Sequence, residues 1–279
     1  MAVPDESWEE SGKSRRDPAV EASLKGMCVL VTRPAHQADV LVRLIETAGG
    51  EAVRLPTIEI VPAADPAALS ALFDRLPEFD LAIFLSQNAV QQTLPLLRAR
   101  GLPPALRLAA VGQGTQQALR AEGFENVLAP VERFDSEALL ELLPRATVLG
   151  KNILIVRGSG GRKLLSEQLS VRGAHLSHAD CYQRLPPRHL DPLAQARLQH
   201  GEIDIISITS VEGLHNLYNL VGTAGRAQLL STAVLTVSER QAQACRELGF
   251  RAAVQVATRA SDAAIVGALC AWQAARNSI

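Results

Sequence analysis

GAHLSHADCYQRLPP, residues Gly173–Pro187, holds one of only two tyrosines in the chain, Tyr182. The stretch reads as a strand leading from one half of the protein into a proline-stiffened connection. A matching stretch lies upstream. Arg157 falls over Arg33, Gly173 over Gly49 and Pro186 over Pro62, each pair 124 positions apart. FDLAIFLSQNAV from Phe79 then aligns with IDIISITSVEGL from Ile203, placing Ser86 over Ser210. Beyond this the register slips by two, so that Phe124 pairs with Phe250 and FDSEALLELL with ASDAAIVGAL from Ala260. Agreement over this length implies an internal duplication, each copy reading β-α-β, a proline connector and three further strand-to-helix units.

Strands alternating with helices indicate parallel α/β architecture. CVLVTR at 28–33 is a short apolar run closed by Pro34. In the helix that follows, Val40, Leu41, Leu44, Ile45 and Ala48 are the expected buried positions, and Gly49-Gly50 the stop. Later, Asp135 or Ser136 is the expected N-cap of a helix burying Ala138, Leu139, Leu142 and Leu143. The connectors, 57–62 and 182–187, leave two arrangements. Either each repeat is one lobe, or the chain crosses between lobes at each connector. A stiff extended segment with proline at its ends serves a crossing better than a turn inside one lobe. The expected division is therefore a discontinuous first lobe, 27–56 with 188–279, a second lobe, 63–181, and a two-stranded β hinge between them.

At 279 residues with 47% hydrophobic content, the chain can bury two cores of ordinary size. Its net charge is −1 and its basic residues are scattered, so bulk electrostatics supports neither nucleic-acid nor membrane-surface binding. Cys28, Cys181, Cys245 and Cys270 show no metal-binding spacing and read as reduced thiols of a cytosolic protein. No apolar run approaches the roughly 18 residues a membrane span needs. Residues 1–26 are rich in charge, lack the apolar centre of a signal peptide and read as a disordered extension, with Met27 an alternative start.

In parallel α/β sheets ligands bind beyond the carboxyl ends of the strands. Those places hold TRP at 32–34, SQNA at 86–89, GQGT at 112–115, RGSGGR at 157–162, TSVEG at 209–213 and SER at 238–240. The candidate ligand contacts are Arg33, Ser86, Gln87, Gly112, Thr115, Arg157, Gly158, Ser210 and Ser238. Hydroxyls, guanidiniums and backbone N–H groups of this kind suit carboxylate or phosphate oxygens. Taken singly, each hydroxyl is equally a helix N-cap, and each arginine can simply pair with a nearby carboxylate. Neither glycine-rich turn is a P-loop or a dinucleotide fingerprint. No Ser-His-Asp order or metal-ligand cluster is present, and His175 and His178, three apart on a strand, fall on opposite faces. The residues by themselves define a two-lobed, cofactor-free binding protein or enzyme.

VTRP followed by Gln37, VGQGTQQAL, DSEALLELL, ILIVRGSGGR, RGA, CYQR followed by proline, and ITSVEGLHNL occur in one order over about residues 27–270. This ordered set resembles the uroporphyrinogen-III synthase (HemD) family. The resemblance implies two flavodoxin-like lobes joined by a two-stranded ladder, with the first lobe discontinuous. It also implies a cytoplasmic monomer with no metal or organic cofactor, acting on the linear tetrapyrrole hydroxymethylbilane. The substrate loses its terminal hydroxyl, the far pyrrole attacks the resulting cation to give a spirocyclic intermediate, and the macrocycle closes with ring D inverted. On the same resemblance Tyr182 is the catalytic residue, its phenol donating to the departing hydroxyl. Two departures stand out. VSERQ places Glu239 and Gln241 where relatives often carry Gly-x-Thr, and SQNA puts Leu85 where Thr-Ser is commoner. The altered turn motivates the alternative of a lobed protein that binds a tetrapyrrole or another polyanion without turning it over.

Overall fold

The computed structural model describes residues 23–131, 133, 135–160 and 164–277. Chain order begins β1 (Cys28–Val31), α1 (Ala35–Thr47), β2 (Glu51–Arg54), β3 (Glu59–Pro62) and α2 (Pro66–Asp74). It continues β4 (Leu81–Phe84), α3 (Gln87–Arg100), β5 (Arg107–Ala110), α4 (Gln113–Ala121), β6 (Val127–Leu128), α5 (Ser136–Glu141) and α6 (Arg145–Val148). Next come β7 (Asn152–Gly158), α7 (Leu164–Val171), β8 (His175–Leu185), α8 (Pro192–Gln199), β9 (Ile205–Ile208), α9 (Val211–Leu220) and α10 (Gly222–Ser231). The chain closes with β10 (Ala233–Thr236), α11 (Glu239–Glu247), β11 (Val254–Val256) and α12 (Asp262–Asn277).

Two compact units result: one runs to Ile58 and resumes at Pro186, and the other is Glu59–Leu185. The first holds a parallel sheet in the order β2-β1-β9-β10-β11. In the second, β8-β7-β4-β5-β6 are parallel, and β3 adds antiparallel to the outer edge of β8. In chain order the first set reads 2-1-3-4-5; the second, with β4 leading, reads 5-4-1-2-3, the same spatial arrangement circularly permuted, with the later strands β8 and β7 in the first two places.

The sequence explains why these sheets are buried on both faces. CVLV, LAIF, IISI and AVLT, the strands β1, β4, β9 and β10, are buried at all four positions. Such runs belong to parallel strands covered by helices on each side. Alternate residues feed opposite cores: Ala82 and Phe84 join Phe73, Val90 and Leu119, whereas Leu81 and Ile83 join Leu139, Leu165 and Leu169. In the first unit Leu30, Ile206 and Val234 face Leu214 and Leu229, and Val29, Val31 and Leu235 face Leu41, Ile45 and Ile265.

One pin recurs in both units. The Asp80 carboxylate accepts the Asn152 N–H at 2.9 Å, and the Asp204 carboxylate accepts the Cys28 N–H at 2.8 Å. Each aspartate also donates its own N–H to the carbonyl of the same residue, Asn152 or Cys28. In each unit the central strand, β4 or β9, is thereby tied to its neighbour, β7 or β1, where both begin.

Several expectations are corrected. On α1, Val40 is 49% exposed, and Ala38 and Val42 are buried with Leu41, Ile45 and Ala48. On the helix after Asp135, Leu142 is 42% exposed and Leu140 buried in its place. Each helix is rotated so that its buried stripe centres on the residues nearest the sheet. Of the extension expected to be disordered over 1–26, residues 23–26 instead form a turn with Leu24 fully buried against the first unit, and residues 1–22 lie outside the described residues. The connectors 57–62 and 182–187 do not stand apart from the units. Glu59–Pro62 and residues 182–185 extend the second unit's sheet, because their paired backbone groups satisfy each other there, while Thr57 and Ile58 remain with the first.

The Lys151 ammonium at 2.8 Å and the Asn152 N–H hold the Asp80 carboxyl below the usual carboxylate range. A carboxyl depressed in the folded state contributes stability above its unfolded value and loses it as pH falls. Asp80→Asn keeps an acceptor for Asn152 but loses the charge, so it should cost up to about 1 kcal/mol at neutral pH, as for an exposed ion pair. Urea unfolding at pH 7 and again below the carboxylate range should show the two proteins converging in acid. An undiminished difference there would remove the ion pair as its cause.

Candidate functional site

Tyr182 owes its position to an irregularity in β8. The parallel register with β7 runs from Asn152↔His175 to Arg157↔Asp180 and then jumps to Gly158↔Tyr182, leaving Cys181 as an extra residue. In a regular strand Cys181 and Tyr182 would point to opposite faces. The bulge instead turns both into the core that already holds Ala179. The Cys181 thiol donates to the Arg157 carbonyl at 3.2 Å, and burial pushes it up to about 12, so it serves as a filler rather than a nucleophile.

The phenol that follows has three neighbours. Its ring lies against Gly158, where an added Cβ would come within 2.5 Å of the ring carbon bearing the hydroxyl. Its oxygen is 3.0 Å from Ser86 Oγ. Its backbone pairs with Pro62 on the edge strand β3, where a residue lacking an N–H is tolerated. Ser86 is itself the N-cap of α3, with extended backbone and Oγ accepting the Ala89 N–H at 3.1 Å. The carboxyl ends of β4, β7 and β8 are thus joined through one hydroxyl pair.

The neighbouring strand end adds two more candidates in contact. A side chain on Gly114 would overlap the Gln87 amide, so Gln87 lies directly over the turn that begins at Gly112. Gly112 is the N-cap of α4, and Thr115, one turn in, is buried. Arg157 is anchored by a carboxylate of the same strand pair: its Nε donates to Asp180 at 2.8 Å. Burial, then the Arg157 charge, holds His178 below the usual imidazole range against the opposing Asp180. Gly161 and Arg162 of the RGSGGR turn lie outside the described residues.

In the first unit Arg33 is likewise paired, with Asp262. Ser210 caps α9 by accepting the Gly213 N–H at 2.9 Å, as Ser86 caps α3. A Cβ on Gly213 would stand 2.9 Å from both Ser210 Oγ and Thr57 Oγ1, and Asn216 donates to the Thr57 carbonyl at 2.9 Å. Ile58, 124 positions before Tyr182, is buried beside this turn. Hydrocarbon therefore stands in one unit where the other has a phenol. Ser238 begins α11 without a side-chain cap bond.

The altered turn has a packing explanation. Gln241 is buried, accepts the Val237 N–H through Oε1 at 2.9 Å and donates through Nε2 to the Thr209 carbonyl at 2.9 Å. It ties the loop after β10 to the loop after β9. Sequence reasoning missed this role because a glutamine on a polar helix start gives no sign of burial. It also missed the bulge, although two adjacent core-type residues, Cys181 and Tyr182, after the alternating Ala179-Asp180 pair are its signature. Gly158 was noticed only as a donor turn, and its contact with the tyrosine is set by the bulge.

Among the described residues no group of three His, Cys, Asp or Glu side chains could hold a metal, and no helix is long and apolar enough to cross a membrane. Two doubly wound units, each with hydroxyls and amides at its strand ends, define a two-domain α/β protein. The model of the family described as uroporphyrinogen-III synthase HemD matches residues 39–266, and the chain belongs to that family. Uroporphyrinogen-III synthase of Salmonella typhimurium is 37% identical over 247 residues, covering 87% of this chain and 100% of the relative. The synthase of Escherichia coli is 36% identical over the same length and coverage. A mutant uroporphyrinogen III synthase structure from Thermus thermophilus superposes with a TM-score of 0.58 at 19% identity, covering 91% of this chain and 100% of that one. The corresponding Helicobacter pylori structure gives 0.54 at 16% identity, with 86% and 97% covered. These two likenesses concern the fold.

Gln241→Ala would remove the partner of the half-buried Val237 N–H and Thr209 carbonyl, at a cost of about 1 kcal/mol. Thermal unfolding should show Tm lowered by several degrees. A Tm unchanged from the parent would mean that water replaces the amide and that the loop tie is dispensable.

Proposed function

We propose that this chain is a uroporphyrinogen-III synthase, closing hydroxymethylbilane to uroporphyrinogen III with loss of water and inversion of ring D. The observation that carries this reading is that a named synthase aligns along its whole length with 87% of the chain at 37% identity. The site geometry agrees with it. Hydroxyl departure breaks a C–O bond, and both electrons leave on oxygen. Tyr182, the catalytic residue of this proposal, gives the phenolic proton that lets the group leave as water. The far pyrrole then attacks the cation to form the spirocyclic intermediate. Rearrangement closes the inverted ring, and the proton balance is restored when the ring-closing carbon loses its hydrogen.

Most of the work is positional. The bilane also closes unaided, to the uninverted isomer, so the protein must hold it in one folded geometry. Its eight carboxylates suit the donors at the strand ends, Gln87, the Gly112–Thr115 turn, Ser210 and Ser238. Arg33 and Arg157, each oriented by an aspartate through one nitrogen, add positive potential and their remaining N–H donors. The protein acts as a cytoplasmic monomer on this small molecule.

The test supplies freshly prepared hydroxymethylbilane and separates the oxidised products by isomer. The inverted isomer should dominate; the uninverted isomer alone, formed at the uncatalysed rate, would reject the synthase. Tyr182→Phe should lower kcat by about 100-fold or more with KM little changed, as for a lost proton donor. A variant with the parent's kcat would take the phenol out of the mechanism.

A further inference from the structure

We propose that Ser86 and Gly158 are positioning residues for Tyr182, Gly158 by leaving the space its ring occupies and Ser86 by turning the phenolic proton outward. The inference rests on the proposed synthase reading and deepens it, because neither residue needs to touch substrate in order to act.

Ser86 Oγ has one proton to give and two lone pairs to receive with. One lone pair is committed to the Ala89 N–H at 3.1 Å, an obligation of the first turn of α3. Across its other side lies the Tyr182 oxygen at 3.0 Å. Of the two directions open to that bond, only one leaves the phenol able to act as an acid. If the phenol donated to Ser86, its proton would be spent inside the protein. If Ser86 donates, the phenol keeps its proton for a group outside, and its oxygen is already stabilised as that proton begins to move. The capped helix end also favours this direction, since an oxygen that accepts an N–H at a helix N-terminus is the better donor through its own O–H.

Gly158 acts on the same ring by absence. An added Cβ would lie 2.5, 2.6 and 3.0 Å from three ring carbons, closer than real Cβ contacts come. The ring has little room to retreat. It is 5% exposed, the bulge at Cys181 fixes its backbone, and the Ser159 N–H donates to its carbonyl at 2.9 Å. A methyl group at 158 must therefore move the hydroxyl away from Ser86. The first unit lacks the arrangement altogether: Pro34 stands 124 positions before Gly158, and Ile58 before Tyr182.

A double-mutant cycle on the full chain, with hydroxymethylbilane as probe and isomer analysis as readout, tests the assignment. Ser86→Ala should lower kcat about 10-fold or more with KM within a few-fold of the parent, and Ser86→Thr, which keeps the hydroxyl, should restore most of it. In the Tyr182→Phe background Ser86→Ala should lower kcat no further, because the proton it orients is gone. Gly158→Ala should reproduce the loss in kcat and be equally silent beside Tyr182→Phe. A serine that only caps α3 would lower Tm without this dependence on Tyr182, so the cycle and not the Tm decides. Losses in kcat that multiply in the double variant, or a rise in KM alone, would overturn the assignment and make Ser86 an independent substrate contact. A Tyr182→Phe protein as fast as the parent would overturn it too while leaving the synthase intact, whereas a parent that makes no inverted isomer would reject the synthase itself.

Discussion

Strand β8 has to satisfy hydrogen-bonding groups on two edges with partners that run in opposite directions. Against β7 it is parallel, and against β3 antiparallel. Its eleven residues serve both because the bulge at Cys181 inserts one position near the point where the second pairing begins. Backbone satisfaction is the constraint: an unpaired buried amide costs as much as several good packing contacts gain. Once that ladder is set, the side chain at 182 has one place to go, into the corner between Gly158 and Ser86. The bulge is thus both a solution to pairing and the means by which a phenol reaches the carboxyl end of the sheet.

Likeness between the two units makes the exception conspicuous. Both parallel sets have the same spatial arrangement, both tie the central strand to a neighbour through an aspartate, and both cap the helix after the central strand with a serine. These shared features hold the backbone. Differences gather at the strand ends, where Tyr182 answers to Ile58 and the buried Thr115 to the buried Gln241. Gln241 meets a backbone need, bridging two loops through its amide, so the change from the familiar glycine-threonine turn is absorbed by packing.

The charged groups follow the same economy. Arg33 and Arg157 each end on a carboxylate of their own unit. Each pairing uses one nitrogen of a group with five N–H donors, so the aspartate fixes the guanidinium's orientation while its positive charge still attracts anions.

Legible in the sequence alone are the alternation of strands and helices, the internal repeat with its expected crossings at 57–62 and 182–187, and the set of strand-end residues from which a site is drawn. These are legible because apolar runs, helical spacing and proline are local signals, and because a repeat compared with itself needs no partner. Only the tertiary structure decided which of those residues meet. Gly158 and Tyr182 are 24 positions apart and Ser86 and Tyr182 are 96 apart, and nothing in their spacing shows that a bulge joins them. Which face a helix buries also waited for the sheet beneath it: Val40 and Leu142 carry the right residue type but point outward, since a stripe one position over fits the sheet. The phenol of Tyr182, a rare tyrosine beside a proline, is placed by a glycine without a side chain, a serine with a committed lone pair and one extra residue in a strand.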